Sequence, residues 1–283
     1  MANNSSLSRR AALRQQQEQE ERAARNRRIL GFGLGAVALA VVVILVVVIV
    51  QTMGKRQEVA AEQLTPPNAT AGYGILAQAK QPADGTPHVV IYQDFQCSGC
   101  AAYEEVFGPI VTSLVEKGEI TAEFRSAHFM DRNIGNDSSE RAALAAAAAD
   151  QVGAYDAYHN AIFAAYNGGA GYTEQQLRVD FPAQAGIAGD DLTRFQELYD
   201  GRAFQDFVNG VEGSMATDGV TGTPTYIVDG THLTFFDQDT NAQLIDTTEE
   251  GFMTPVADAY QGGALGRRFP APPRPRGEAG KNG

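Results

Sequence analysis

The longest apolar stretch in the chain covers residues 29–50, which include neither a charged residue nor a proline. A helix of this length rises roughly 33 Å, enough to cross a hydrocarbon layer of about 30 Å. The stretch is longer than the apolar core of a cleavable signal peptide, which has about 7–15 residues. We therefore expect an uncleaved signal anchor, a single transmembrane helix at 29–50, preceded by a polar flank at 1–28.

Basic residues around this stretch predict its orientation. Seven arginines precede it, whereas only Lys55 and Arg56 closely follow it. Because positively charged flanks stay in the cytoplasm, we expect a single-pass cell-membrane protein with a cytoplasmic N-terminus and an extracytoplasmic remainder. Residues 57–283 contain 13 Lys and Arg against 31 Asp and Glu, a net charge of −18. This acidic balance argues against a nucleic-acid partner, since phosphate binding needs a basic surface.

Beyond a polar linker at 51–71, the hydrophobic pattern alternates between strand and helix. Short apolar runs predict strands at 73–77, 87–92 and 120–124. Between the last two, apolar residues at helical spacing predict a helix at 101–117, with Gly118 as its C-terminal cap. This strand–helix–strand order is typical of an α/β domain.

The region 138–215 has a helical pattern throughout. We expect helices at 141–151, 155–166, 173–181, 190–199 and 201–215. Ser138 or Ser139, with Glu140, is the expected cap of the first of these helices.

Strand character returns after this helical block. Strands are predicted at 223–228 and 231–234, joined by a turn at Asp229 and Gly230, and a last helix from about Pro255. Strands that enclose a long helical block indicate a thioredoxin-like α/β fold with an all-helical insertion, covering 72–261. Residues 262–283 are rich in Gly and Pro, and we expect a disordered tail.

The chain contains two cysteines, Cys97 and Cys100, placed between a predicted strand and a predicted helix. A helix N-terminus stabilises a thiolate, which is the reactive form of cysteine. We expect Cys97 to be the exposed attacking thiol and Cys100, one turn further on, to be the more buried resolving thiol. This placement favours redox chemistry and calls for no cofactor.

Two other uses of the pair are open to a C-x-x-C sequence. A structural disulfide that closes so short a loop would stabilise the fold weakly. A zinc site would need further ligands, and the four histidines show no paired spacing. They are His88, His128, His159 and His232. We therefore expect no metal.

A second element with possible chemical meaning is the stretch 220–225, VTGTPT. One interpretation is a loop in which Pro224 opens an edge strand. The other is a cis Thr223–Pro224 bond of the kind retained where a tight turn needs it. The sequence alone does not distinguish these two.

Several motifs together resemble the DsbA-like thioredoxin-fold family. They are 93–100 (QDFQCSGC) with 103–105 (YEE), the Ala-rich helix after Ser139, and 219–225 (GVTGTPT) leading to 228–230 (VDG). The similarity covers roughly 72–261. It implies that Cys97 is the nucleophile and Cys100 the resolving thiol. It also implies a cis Pro224 packed against the disulfide, and a Thr223 backbone that pairs with an extended substrate peptide.

The sequence departs from the family pattern near the cysteines. Ser98 and Gly99 stand where the family's strongest oxidants have Pro and His. No buried acidic residue is obvious, because Ile91 occupies the strand position six residues before Cys97. Asp94 could substitute for it, but we interpret Asp94 as a plain turn residue. These differences leave the redox direction open.

The resemblance implies a membrane-tethered thiol–disulfide oxidoreductase that introduces disulfides into exported proteins with free thiols. It also suggests a membrane redox partner of the DsbB-like or vitamin-K-epoxide-reductase-like type. Two alternatives remain: a reductase or isomerase of the same fold, and a non-catalytic module that binds peptides near Pro224.

Overall fold

The structure is a computed structural model that describes residues 41–46, 62–237, 240 and 242–260. The chain divides into two units, 1–55 and 56–283. In the first, the described residues 41–46 are helical and exposed. No helix in the described residues is long and apolar enough to cross a membrane. The rest of the predicted anchor lies outside those residues, as do the predicted flank, most of the predicted linker and the predicted tail.

A five-stranded mixed sheet forms the centre of the second unit. Its strands are β1 (Ile75–Leu76), β2 (His88–Gln93), β3 (Thr121–Ser126), β4 (Thr225–Val228) and β5 (Thr231–His232). Their spatial order is β1-β3-β2-β4-β5. Strand β2 is parallel to β3 and antiparallel to β4, while the edge strands are antiparallel to their neighbours. Each lies near its predicted place in the sequence.

Helices lie between and after the strands of this sheet in the sequence. They are α1 (Ser98–Lys117), α2 (Met130–Ile134), α3 (Ser138–Gln151), α4 (Tyr155–Ala164), a π-helical turn (Gln176–Asp180) that runs into α5 (Phe181–Gln184), α6 (Gly189–Asp200), α7 (Gln205–Thr217) and α8 (Glu249–Ala259), with a short 3-10 turn at Ala77–Ala79. Helices α2 to α7 lie between β3 and β4 in the sequence. The predicted α/β fold with an all-helical insertion is therefore confirmed.

Helix α3 is the centre of the insertion. Its residues 142–149 are buried, and all but Leu144 are alanines. Small side chains let neighbouring helices approach closely, and α3 contacts α4, α6 and α7. The main apolar core thus continues from the sheet through α1 into the insertion. A smaller apolar cluster lies between the sheet and α7.

Two predicted helix starts are corrected by the structure. Helix α3 is not capped by the Ser138 or Ser139 side chain. Instead, the Asp131 carboxylate accepts from the amides of Ser139 (2.8 Å) and Glu140 (2.9 Å). The last helix begins at Glu249 rather than near Pro255, because the Thr248 hydroxyl accepts from the Gly251 amide at 3.0 Å.

Candidate active site

The two cysteines lie where β2 passes into α1. Helix α1 begins at Ser98, three residues before its predicted start, because the Cys97 sulfur itself caps it. The backbone amide of Cys100 donates to Cys97 Sγ at 3.4 Å. Both cysteines are free and buried. Cys97 is 9% exposed and Cys100 3%, so Cys97 is less exposed than predicted but remains the more accessible thiol.

The surroundings of Cys97 favour its thiolate. The pKa of the Cys97 thiol is lowered to about 6, chiefly by a hydrogen bond from the Cys100 side chain. Burial acts in the opposite direction, while Thr223 and the backbone amides of Cys100 and Gly99 lower the pKa further. With a pKa one unit below neutral, the thiolate outnumbers the thiol about tenfold at pH 7.

Cys100 has the opposite electrostatic environment. Burial raises the pKa of its thiol well above the ordinary value, and the hydrogen bond and charge of Cys97 raise it further. Its Sγ accepts from the backbone amide of Asp94 at 3.4 Å. One sulfur is thus kept as a nucleophile and the other as a protonated thiol, a division of roles that suits stepwise disulfide exchange.

The Thr223–Pro224 loop, the second element predicted from the sequence, lies next to the cysteines. The Thr223–Pro224 peptide bond is cis, and the Thr223 carbonyl oxygen lies 3.3 Å from Cys97 Sγ. Gly99 is in close contact with this loop: a Cβ added to it would lie 3.0 Å from Pro224 Cδ and 3.7 Å from Cys97 Sγ. The structure therefore brings Thr223 and Pro224 together with Cys97 and Gly99.

Ser98 opens onto a groove along α1. The groove has a volume of about 890 Å³ and lies between α1 and α4. Its lining includes Glu104, Glu105, Phe163 and Tyr166. An extended polypeptide segment could lie there next to the cysteine pair. Within the residues that the structure describes, no three His, Cys, Asp or Glu side chains are grouped to hold a metal ion.

Asp94 is more than the turn residue that the sequence suggested. Its Oδ1 does accept from the Gln96 amide at 2.9 Å, as in an ordinary turn. However, Asp94 is fully buried and also accepts from the Ser139 hydroxyl and the Met130 amide. Burial raises the pKa of its carboxyl to about 6, although these hydrogen bonds lower it. A buried acidic residue is therefore present beside the cysteines, three residues before Cys97.

Comparison with known proteins identifies the family. Residues 83–247, more than half of the chain, match the family model described as thioredoxin. The chain belongs to the thioredoxin family. The predicted family resemblance is thus confirmed. No curated protein sequence matches the chain.

Two solved structures share the fold of this thioredoxin-family chain. MdbA of Corynebacterium diphtheriae, described as a thiol-disulfide oxidoreductase, has 22% identity and a TM-score of 0.50, covering 61% of this chain and 89% of its own. MdbA of Actinomyces oris, described likewise, has 16% identity and a TM-score of 0.54, covering 71% of this chain and 98% of its own. At these identities the likeness shows the fold alone.

Proposed function

We propose that this chain is a thiol–disulfide oxidoreductase that introduces disulfides into other proteins through Cys97 and Cys100. The observation that carries the proposal is the contrast between the two thiols. Cys97 caps a helix, contacts the Thr223 carbonyl and has a pKa of about 6, whereas the pKa of buried Cys100 is raised well above its ordinary value. The solved structures that share the fold include proteins described as thiol-disulfide oxidoreductases.

The proposed reaction begins with a disulfide between Cys97 and Cys100. A substrate thiolate attacks Cys97 Sγ, the Cys97–Cys100 bond breaks, and Cys100 leaves and takes up a proton. A second substrate thiolate then attacks the substrate sulfur of the mixed disulfide and expels Cys97 as a thiolate. The substrate loses two electrons and forms a disulfide, while the Cys97–Cys100 pair gains them.

The low pKa of Cys97 favours this direction over reduction. A thiol with a lower pKa leaves faster, and a stabilised thiolate stabilises the reduced form of the pair relative to its disulfide. A pKa of about 6 lies between those of DsbA, about 3.5, and thioredoxin, about 7. We therefore expect the Cys97–Cys100 pair to be a stronger oxidant than thioredoxin.

The substrate in this proposal is an extended polypeptide segment beside the Thr223–Pro224 loop. The Thr223 carbonyl lies next to Cys97 Sγ, so a strand paired with the Thr223 backbone would present its own cysteine to that sulfur. The groove that begins at Ser98 offers room for the part of the substrate polypeptide that extends beyond this paired strand. Ser98 lines this groove, and Gly99 faces Pro224.

The cellular setting is part of the proposal and rests on the sequence. The apolar stretch at 29–50 and its arginine-rich flank favour a membrane-tethered enzyme with its cysteines on the extracytoplasmic side. Its substrates are then exported proteins with free thiols. A membrane redox partner, DsbB-like or vitamin-K-epoxide-reductase-like, would remove the two electrons after each cycle.

A refolding assay tests the proposed activity. Full-length protein, oxidised beforehand, is mixed with a reduced, unfolded protein whose activity requires its disulfides. We expect stoichiometric recovery of that activity and reduction of Cys97 and Cys100, and no recovery with the double variant Cys97→Ser, Cys100→Ser. If the reduced protein instead removes disulfides and the oxidised protein forms none, the chain is a reductase. If neither occurs, a peptide-binding module remains.

A further inference from the structure

The turn between β2 and α1 is held by the helical insertion. Its residues Asp94, Phe95 and Gln96 are all buried. The Tyr172 hydroxyl donates to the Phe95 carbonyl at 2.9 Å. The Gln96 side chain donates to Asp131 Oδ1 at 2.7 Å. The segment that precedes Cys97 is thus fixed by residues that come later in the chain, beyond β3.

The Asp94 carboxylate is the centre of these contacts. It accepts from the Ser139 hydroxyl at 2.5 Å, from the Gln96 amide at 2.9 Å and from the Met130 amide at 3.1 Å. Ser139 belongs to α3 and Met130 begins α2, so one side chain joins the turn to two helices. In the described part of the chain, no Lys, Arg or His forms an ion pair with it.

The backbone of the same residue touches both cysteines. The Asp94 amide donates to Cys100 Sγ at 3.4 Å, and the Asp94 carbonyl accepts from the Cys97 amide at 3.0 Å. Any shift of this backbone therefore moves a group that contacts the redox pair. Within the described residues, Asp94 reaches the insertion through its side chain, which accepts from the Met130 amide and the Ser139 hydroxyl.

We propose that Asp94 is a positioning residue for disulfide exchange: its carboxylate, tied to Ser139 and Met130, holds the turn so that Cys100 stays in place to donate to the Cys97 thiolate. The inference rests on the proposed function and adds a residue to the same site. Asp94 itself does not touch the reacting sulfurs through its side chain. It acts through its own backbone amide and through Cys100.

The chemistry of the cluster explains why a carboxylate suits this place. Three donors converge on Asp94, and a carboxylate can accept all of them, whereas an amide offers only one acceptor oxygen. The acidic Asp131 lies nearby and raises the pKa of Asp94, as burial does. Keeping an ionisable acid here without a cation is costly to the fold, and a cost of this kind is more readily kept at a functional site than in an ordinary core.

Titration of Cys97 in the Asp94→Asn variant tests the proposal. Asparagine has nearly the same size, but its NH2 group must face at least one of the converging donors. The full-length reduced protein is titrated by thiolate absorbance at 240 nm. We expect the acid dissociation constant of Cys97 to fall by about threefold or more, which is a pKa rise of about half a unit.

The sign of this shift separates positioning from simple charge removal. Removal of a nearby negative charge would lower the pKa of Cys97, since it would favour the thiolate. Loss of the Cys100 hydrogen bond would raise it. A lowered or unchanged pKa in a folded Asp94→Asn protein would therefore overturn the proposal, while the wild-type refolding assay would still decide the proposed function separately.

A matched control is available in Asp150. This carboxyl is also buried, its pKa is also raised by burial, and it accepts from the Asn68 amide and side chain at 2.9 and 2.8 Å. Asp150→Asn should leave the Cys97 titration unchanged, and an equal shift in both variants would contradict the proposal. If Asp94→Asn does not fold, Ser139→Ala removes one donor to Asp94 and should raise the pKa of Cys97 by a smaller amount, whereas no rise would contradict the proposal.

Discussion

Two buried carboxyls in this domain have opposite electrostatic environments. Asp94 and Glu123 are 0% and 1% exposed, and burial is the largest influence on each. For Asp94 burial prevails and the pKa is raised to about 6. For Glu123 burial is outweighed by the hydrogen bond from His88 and the charge of Arg125, so the pKa is lowered to about 2.

The partners of Glu123 show why it belongs to the scaffold. Arg125 Nε donates to Glu123 Oε1 at 2.6 Å, and Arg125 Nη1 reaches Asp218 Oδ2 at 2.7 Å and the Tyr92 hydroxyl at 2.6 Å. This buried cation connects two adjacent strands with the end of α7. A carboxylate that is paired in this way holds its charge at any ordinary pH.

Asp94 has only neutral donors and lies beside the cysteines. Its ionisation is therefore a cost to the fold that the Glu123 cluster avoids. The comparison shows that burial alone does not decide the charge state of an acidic residue, since the hydrogen bond from His88 and the charge of Arg125 reverse at Glu123 the effect that burial has at Asp94. Of these two carboxyls, the one without a cation lies beside the reactive cysteines.

The largest expected effect concerns the cysteines that Asp94 supports. Cys97→Ser should reduce disulfide exchange to the uncatalysed background, because serine at this position cannot form a disulfide. The loss is measured in the refolding assay with oxidised protein. Cys100→Ser is the informative companion, since it keeps the nucleophile but lacks the resolving thiol. Mixed with a protein that contains a disulfide, its Cys97 thiolate should attack that disulfide, expel one of the two sulfurs as a thiolate and accumulate as a mixed disulfide. The absence of that species would contradict the assigned order of the two sulfurs.

Breaking the Glu123 cluster should damage stability rather than chemistry. Glu123→Gln leaves Arg125 and His88 without their buried anion, which typically costs about 3–5 kcal/mol of unfolding free energy. Urea unfolding measures the loss, and thiolate absorbance should show an unchanged Cys97 pKa in the folded variant. A stability loss below about 1 kcal/mol would mean that the cluster does not stabilise the connection between the two strands and α7.

The pH dependence of stability provides a third test. The pKa of Cys97 is lower in the folded state, about 6, than the ordinary value near 8.5. A group with a lowered pKa stabilises the fold above its unfolded value, and this stabilisation is lost as pH falls through its folded value. The reduced wild type should therefore gain up to roughly 3 kcal/mol over Cys97→Ser between pH 6 and pH 8.5. Urea midpoints of both proteins across that range would show it, and parallel pH profiles would refute it.

A smaller effect is expected at a cap that belongs to neither cluster. Thr248→Ala removes the hydroxyl that caps α8 and should cost about 1 kcal/mol of unfolding free energy. Thermal unfolding compared with Thr248→Ser, which keeps the hydroxyl, provides the measurement. Equal stability of the two variants would mean that the cap contributes nothing, whereas neither variant should alter the titration of Cys97.

Much of the fold follows from local sequence patterns. The β-branched runs of β2 and β4, the apolar spacing of α1 and the left-handed Gly118 that ends it are all visible in the sequence. The sequence also contains a signal for the start of α8, because Thr248 is followed by Glu249 and Glu250, a pattern typical of a helix N-terminus. The hydrophobic pattern predicts a start at about Pro255, which instead lies inside the helix.

The partners of Asp94 could not be read from local patterns. Met130 and Ser139 lie 36 and 45 residues further along the chain, and only the packing of α2 and α3 brings them to the turn. The cap of α3 by Asp131 is hidden for the same reason. The meeting of Thr223 with Cys97 was expected only from the family resemblance, since 126 residues separate them.

The reduction potential of the Cys97–Cys100 pair tests the central claim most directly. Full-length protein would be equilibrated with glutathione buffers, and the fraction of disulfide measured at each ratio. We predict a potential above about −200 mV, in the region of protein disulfide isomerase near −180 mV and DsbA near −120 mV. A value below about −200 mV, in the range of glutaredoxins and of thioredoxin near −270 mV, would contradict a role as a disulfide donor.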